Sequence, residues 1–304
     1  MTPRQTAVTG AAQQQVLDFY SQPEAMSSGG DHAARLASLP DDIGTLARVV
    51  QGLTLHEYAA SAYGVTVAGE RRSESHIRGL EPMLNRLSGE RAGPLTEARP
   101  PEKRLVGVCR HFALLLVGIL RGKGIPARAR CGFGSYFNPP YFEDHWVCEY
   151  WNAAQARWIR VDAQLDDVFA KMLMLDFDPL DVPHDRFVIA GDAWAQCRAG
   201  EADAATFGIF VGEQRGLWFI AGDLVRDLAA LNKMEMLAWD CWGAMPRPGE
   251  TLQQDQLAFF DRLAALTRAP DASFKELREL YADDERLRVP ATVFNAVLER
   301  TEAV

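Results

Sequence analysis

The sequence contains no C-x-x-C pair and no H-E-x-x-H, so the commonest zinc patterns are missing. No apolar stretch approaches the ~20 residues of a membrane-spanning helix; the longest is Phe112–Leu120. The opening MTPRQTAVTGAAQQQ lacks the apolar core of a secretory signal, so a cytoplasmic protein without a membrane partner is expected. Basic charge is in the minority: 32 Lys and Arg stand against 41 Asp and Glu, a net charge of −9. A chain of that balance lacks the electrostatic footprint of a nucleic-acid binder. The five cysteines are few, odd in number and scattered, and read as free thiols in a reducing compartment rather than as a disulfide framework. Internal repeats and low-complexity tracts are also missing.

What is present suffices for a sizeable core, because 48% of 304 residues are hydrophobic and 24% charged. Residues 1–99 read as a helical N-terminal region. Within it, 41–68 carry apolar residues at helical spacing, and SHIRGLEPMLNRLSG gives an amphipathic helix closed by Gly89. RAGPLTEARPPEKR is loop chemistry. Residues 100–190 form a distinct centre: an apolar helix, then a stretch rich in Trp, Tyr and Phe that favours strands. Residues 191–304 read as mainly helical, with DLVRDLAALNKMEML and three tail helices at 251–267, 272–282 and 289–302. This order predicts an α+β fold, one compact body with helical extensions at both ends.

The helix VGVCRHFALLLVGILRGKG is apolar on nearly every side, so it is expected to be covered all round. Gly107 permits a tight turn before it, and Gly122 and Gly124 suit its end. Cys109 falls in its first turn, where unpaired N–H groups and the helix dipole favour a thiolate. A buried packing thiol is the commoner reading of such a cysteine. The nucleophile reading needs a histidine within reach. His111 does not supply it, since residues i and i+2 of a helix point to opposite sides; it is expected to bond locally.

A histidine is available in EDHWVCEYWNAAQARWIRVDAQLD. Residues 145–151 and 156–162 read as two strands joined by Asn152–Gln155. Pairing Trp151 with Ala156 sets Glu149 against Trp158, Val147 against Arg160 and His145 against Asp162. Directly opposed residues share a face with Cβ atoms ~5 Å apart, close enough for a carboxylate to bond an imidazole nitrogen. That bond would fix the tautomer and leave the other nitrogen to serve a thiol. Taken singly, His145 is a strand histidine and Asp162 an acid at a strand end.

GVCRHFALLLVGILRGKGIPARARCGF, DHWVCEYW and RWIRVDAQ together resemble the transglutaminase-like cysteine enzymes, a superfamily related to papain with the chain order Cys, His, Asp. The resemblance covers about residues 100–168, and the helical ends are similar to those of bacterial members. It implies a core in which a central helix bearing the cysteine packs on an antiparallel sheet. It implies Cys109 as nucleophile, His145 as general base and acid, and Asp162 as orienter. The reaction expected is acyl transfer or amide hydrolysis through a thioester, on a peptide-like or small amide or ester substrate, without cofactor. Two other readings stand beside it: a catalytically silent binding or scaffold protein of this fold, and a deglycosylase of the peptide N-glycanase type. The stretch RPPEKRLVG before Cys109 offers neither Trp nor Gln as a side-chain donor to an oxyanion.

Tyr136, Phe137 and Tyr141, in GSYFNPPYFED, are candidates for a substrate loop or lid. Trp146 is a candidate cleft wall, with core packing as its default. Arg128 and Arg130 alternate on a predicted strand; they could steer an anionic substrate, or form an exposed strand face. Cys131 and Cys148 are read as packing thiols. Asp176, Asp178 and Asp181 lie close together but lack the glycine and distal glutamate of a calcium loop, and are read as turn acids, so no metal is expected.

Overall fold

The computed structural model describes residues 10–89, 93–211 and 214–304. Helix α1 (Gly10–Ser21) leads to a short α2 (Ala33–Ala37) and to α3 (Ile43–Leu53). Asp42 starts α3: its Oδ1 accepts the Thr45 N–H at 2.7 Å, meeting one of the donors a helix start leaves unpaired. Leu46, Val49, Val50 and Leu53 bury one face of it. The helix stops at Leu53, short of the end at 68 that periodicity suggested. Thr54–His56 form strand β1, which pairs in parallel with β2 (Leu105–Gly107). That distant partner is the physical reason for the early stop, because ladder hydrogen bonds override a weak local preference. Helix α4 (Leu80–Ser88) buries Leu80, Met83, Leu84 and Leu87 and ends at Gly89, as its pattern predicts.

Helix α5 (Cys109–Gly122) is buried from Cys109 to Arg121, which is the covered rod expected of an all-round apolar pattern. It ends where Gly124 takes a left-handed φ of 73°. Strands β3 (Ala127–Asn138), β4 (Tyr141–Asn152) and β5 (Arg157–Val161) follow. The expected loop GSYFNPPYFED is therefore mostly strand, with a turn only at Pro139 and Pro140. The chain continues through α6 (Asp167–Leu173), β6 (Phe187–Ile189), α7 (Ala190–Ala199), β7 (Phe207–Ile209) and β8 (Gln214–Arg215). It then forms α8 (Leu217–Leu231), β9 (Asp240–Cys241), α9 (Gln254–Arg268), α10 (Phe274–Asp283), β10 (Thr292–Asn295) and β11 (Arg300–Ala303). Helices together with largely antiparallel pairing make this an α+β protein.

The chain divides into two compact units, and β3 and β4 each contribute a segment to both. One unit comprises the described residues among those up to Phe19, Cys131–Asp144 and the described residues of Asp185–Val304. Its strands pair as Gly132 with Ile189, Phe142 with Phe207, and Gly208 with Arg215. Helix α8 is buried from Phe219 to Leu231. The Trp194 indole N–H on α7 donates to Asp261 on α9 at 2.8 Å. The tail departs from expectation: residues 289–302 are not a helix but the β10–β11 hairpin, with Val293 facing Glu302. Thr292, Val293 and Phe294 are strand formers, and Val293 and Asn295 are buried while their neighbours are exposed. Asn295 closes the turn, its Oδ1 accepting the Val297 and Leu298 N–H groups at 3.1 and 3.0 Å.

The other unit comprises Tyr20–Arg130 and His145–His184. It holds α3, α5, the β1–β2 pair and the β4–β5 hairpin. Glu74, 2% exposed, anchors β2 by accepting the Val106 N–H at 2.8 Å.

Candidate active site

The site is built where β2 turns into α5. Val108 is the extended N-cap residue and Cys109 the first residue of the helix, 7% exposed. His111 organises this start. The Val108 N–H donates to His111 Nδ1 at 3.1 Å, and the His111 ring lies with Nε2 3.2 Å from the Ile77 carbonyl oxygen. An N–H can only donate, so Nδ1 accepts and the ring proton sits on Nε2, directed at Ile77. Burial, with Arg110 beside it, holds His111 well below the usual histidine range. His111 is thus a neutral local brace with both nitrogens committed. Gly107 serves this brace rather than a tight turn: it is the last residue of β2, and a Cβ there would meet the His111 ring at 2.7 Å.

His145 lies on β4 and is 1% exposed. Its Nε2 is 2.8 Å from Asp162 Oδ2, so the carboxylate–imidazole contact read from the sequence is present. The pairing behind it differs from the expected register. Cys148 faces Val161, Glu149 faces Arg160, Trp151 faces Trp158 and Asn152 faces Arg157. The turn occupies Ala153–Ala156, one residue later than expected, with Ala156 at φ 50° and the Asn152 Oδ1 accepting the Gln155 N–H at 3.1 Å. Every pair is displaced by two positions. A two-residue shift keeps each side chain on its face, so His145 and Asp162 remain neighbours, diagonally rather than directly opposed. Asp162 follows the last residue of β5 and is held on all sides. Its Oδ1 accepts the Gln164 N–H at 3.0 Å and its own N–H donates to the Pro179 carbonyl at 2.8 Å. With Nε2 bonded to a carboxylate, the neutral ring carries its proton on Nε2, and Nδ1 is its basic nitrogen.

His56 also belongs to this region, though the sequence reading passed over it inside an apparent helix. It ends β1 and pairs with Gly107. Its ring stacks on Phe112 at 6.4 Å and meets Phe169 edge-on at 6.3 Å. Burial and the nearby His145 push it down to about 3, against the pull of Asp162.

The remaining candidates fall elsewhere. Arg128 and Arg130 are not an exposed strand face and are not placed to steer a substrate. They are 4% and 2% exposed and contact one oxygen of Glu149 at 2.8 and 3.3 Å. Arg160, opposite Glu149 on β5, holds the other oxygen at 2.9 Å. Burial opposes the Glu149 charge, but Arg130, Arg128 and Arg160 outweigh it and hold the carboxyl well below its usual range. Arg128 also lies over the Trp158 ring at 3.9 Å. Trp146, 1% exposed, is core rather than an accessible wall. Tyr136, Phe137 and Tyr141 belong to the unit that does not contain Cys109, His145 and Asp162. There Tyr136 packs on Phe137 at 4.6 Å and Tyr141 on Phe210 at 4.0 Å. Asp181 pairs with Arg157 at 3.0 Å and Asp178 caps the Leu180 N–H at 2.8 Å, which is turn chemistry.

Among the described residues, Cys131, Asp144 and Asp223 bring ligand atoms within 4.8 Å of one another. Arg226 already places its guanidinium 3.0 Å from Asp223 Oδ1, supplying the positive charge a cation would bring. No helix among the described residues is long and apolar enough to cross a membrane.

No curated protein matches the chain. A Cytophaga hutchinsonii protein provisionally named a cysteine protease is 22% identical in sequence; the match covers 50% of this chain and 47% of that one, with a TM-score of 0.20. The family model that matches is the transglutaminase-like superfamily, over residues 86–163, a span that includes Cys109, His145 and Asp162. The segment that builds the candidate site thus belongs to the transglutaminase-like superfamily.

Proposed function

We propose that the protein is a cysteine-dependent acyl-transfer or amide-hydrolysing enzyme, with Cys109 as nucleophile, His145 as general base and acid, and Asp162 as orienter. The observation that carries this reading is the buried 2.8 Å contact between His145 Nε2 and Asp162 Oδ2, within a segment of this superfamily. In the proposed reaction, His145 Nδ1 takes the Cys109 proton. The sulfur adds to the carbonyl carbon of an amide or ester, and the carbonyl pair moves onto oxygen. Backbone N–H groups at the start of α5 face that charge. Collapse breaks the bond to the leaving group, which receives the proton from His145, and a thioester remains on Cys109. Water as acceptor completes hydrolysis; an amine completes transfer. A peptide-like amide is the proposed substrate class, and the proposed core is the papain-like one, the helix bearing Cys109 laid on the antiparallel sheet.

The test uses p-nitrophenyl acetate. Mass spectrometry should find one acetyl group on Cys109, absent in Cys109→Ala and slowed in His145→Ala. Acetylation spread over several cysteines, or unchanged in His145→Ala, would sink the proposal.

A further inference from the structure

Of the histidines near the site, two make hydrogen bonds that fix their rings. His111 uses both to brace the helix start, and His145 uses Nε2 on Asp162. His56 is different: neither of its ring nitrogens has a hydrogen-bond partner among the described residues, and Nδ1 is wholly inaccessible. A buried nitrogen left unsatisfied is costly, and such groups are rare enough to call for a reason. Packing alone does not provide one, since a phenylalanine would fill the space between Phe112 and Phe169 without that cost.

The position of His56 supplies a reason. β1 and β2 run side by side in parallel, about 4.8 Å apart, and their register sets His56 beside Gly107, two residues before Cys109. Phe112, on which the His56 ring stacks, lies one helical turn from Cys109 and on the same side of α5. His145 and Asp162 are close enough to act on its charge. His56 as a residue keeps some exposure, while its Nδ1 is sealed off without a partner. The imidazole is neutral at ordinary pH, because protonation is pushed down to about 3. A sealed Nδ1 offers no route to a ligand, so a ligand that engages this neutral ring meets it at Nε2, as a donor when the proton is there.

We propose that His56 is the side-chain donor of the oxyanion hole: its Nε2–H, with the backbone N–H of Cys109, holds the oxygen that becomes charged when sulfur adds to the carbonyl carbon. This rests on the reading of Cys109 as nucleophile and supplies the donor that RPPEKRLVG lacks. A neutral donor suits the task. It stabilises the developing oxyanion without carrying a fixed positive charge beside the thiolate, and it does not compete with His145 for the thiol proton.

The experiment compares two reactions of Cys109 in the full chain. With p-nitrophenyl acetate, an S–C bond forms at the carbonyl carbon, an oxyanion appears, and the ester C–O bond breaks to release p-nitrophenolate. With iodoacetamide, sulfur displaces iodide at a saturated carbon and no oxyanion forms. Thermal melting checks that each variant is folded. His56→Phe should slow acylation by about 10²–10³-fold while leaving alkylation within about twofold. His56→Gln, which keeps a donor, should recover most of the acylation rate. If His56→Phe slows both reactions equally, or neither, or if His56→Gln is no better than His56→Phe, the assignment is overturned. A native protein in which Cys109 is neither acylated nor alkylated ahead of the other cysteines overturns the parent reading instead.

Discussion

Replacing Asp162 by Asn removes one charge and converts one carboxylate oxygen into an amino group, at a side chain 1% exposed. Two orientations of the new carboxamide are open, and the surroundings make both unfavourable. In the first, the amide oxygen keeps the Gln164 N–H, now made at 3.0 Å, and the amino group faces His145 Nε2. Nε2 must then accept, and the ring proton moves to Nδ1, the nitrogen that has to receive the thiol proton. The general-base contribution at stake is about 10²–10⁴-fold. In the second, the oxygen faces Nε2 and the amino group faces the Gln164 N–H, donor against donor. The tautomer survives, but the imidazolium loses its ion pair with a carboxylate and keeps only a bond to a neutral oxygen. The difference of about 1.5 kcal/mol is about tenfold in rate. Acylation of Cys109 by p-nitrophenyl acetate, read as the burst of p-nitrophenolate, should therefore fall at least about tenfold and at most about 10⁴-fold. A folded Asp162→Asn protein that acylates within a factor of two of the native one would refute the role given to this carboxylate.

Glu149→Gln should lower stability by about 3–5 kcal/mol, because it leaves Arg128, Arg130 and Arg160 buried without the carboxylate that joins them. By contrast Arg157→Ala, at an ion pair with both partners nearly half-exposed, should leave stability almost unchanged; denaturant titration of both variants checks the contrast, and equal losses would contradict it. Acid should destabilise the protein in two stages. His111 and His56 are held below their unfolded value of 6.5, so the unfolded chain binds protons first as pH falls below 6.5. Stability then drops by up to about 1.4 kcal/mol per pH unit per histidine. Glu149, held below its unfolded value of 4.5, contributes stability that is full above 4.5 and lost as pH falls toward its folded value. His111→Gln should flatten the first stage in urea melts at pH 5–7, and an unchanged slope would show that His111 does not carry it.

The parts of the fold that could be read in advance were those where local pattern and final environment agree. Helix α5 is apolar all round because it is covered all round, and α4 has the stripe and glycine stop its sequence shows. The β4–β5 hairpin was legible for a similar reason, since side chains alternate along each strand whatever the turn does. The two-position displacement came from Ala156 adopting a left-handed conformation that nothing in NAAQAR requires, and the face of His145 survived it. The failures have the opposite character. Thr54–His56 leave the helix for a partner far along the chain, and no local periodicity reports such pairing. His56 was hidden for that reason. Arg128 and Arg130 looked like a solvated face because the carboxylate that neutralises them, Glu149, lies on another strand. The 289–302 segment imitates a helix in its apolar spacing, but Asn295 and the strand formers before it make a hairpin.

The measurement that bears most directly on the account is site-resolved alkylation of the five cysteines by iodoacetamide at neutral pH, in the native protein and in His145→Ala. Cys197 and Cys241 are more exposed than Cys109, and Cys131 and Cys148 are sealed in the core. Burial also pushes the Cys197 thiol up to about 11, which disfavours its thiolate. If reactivity followed exposure alone, Cys197 and Cys241 would be labelled first. The account predicts that Cys109 is labelled first and that His145→Ala abolishes its lead. Labelling of Cys109 that trails Cys241, or that is indifferent to His145, would contradict it.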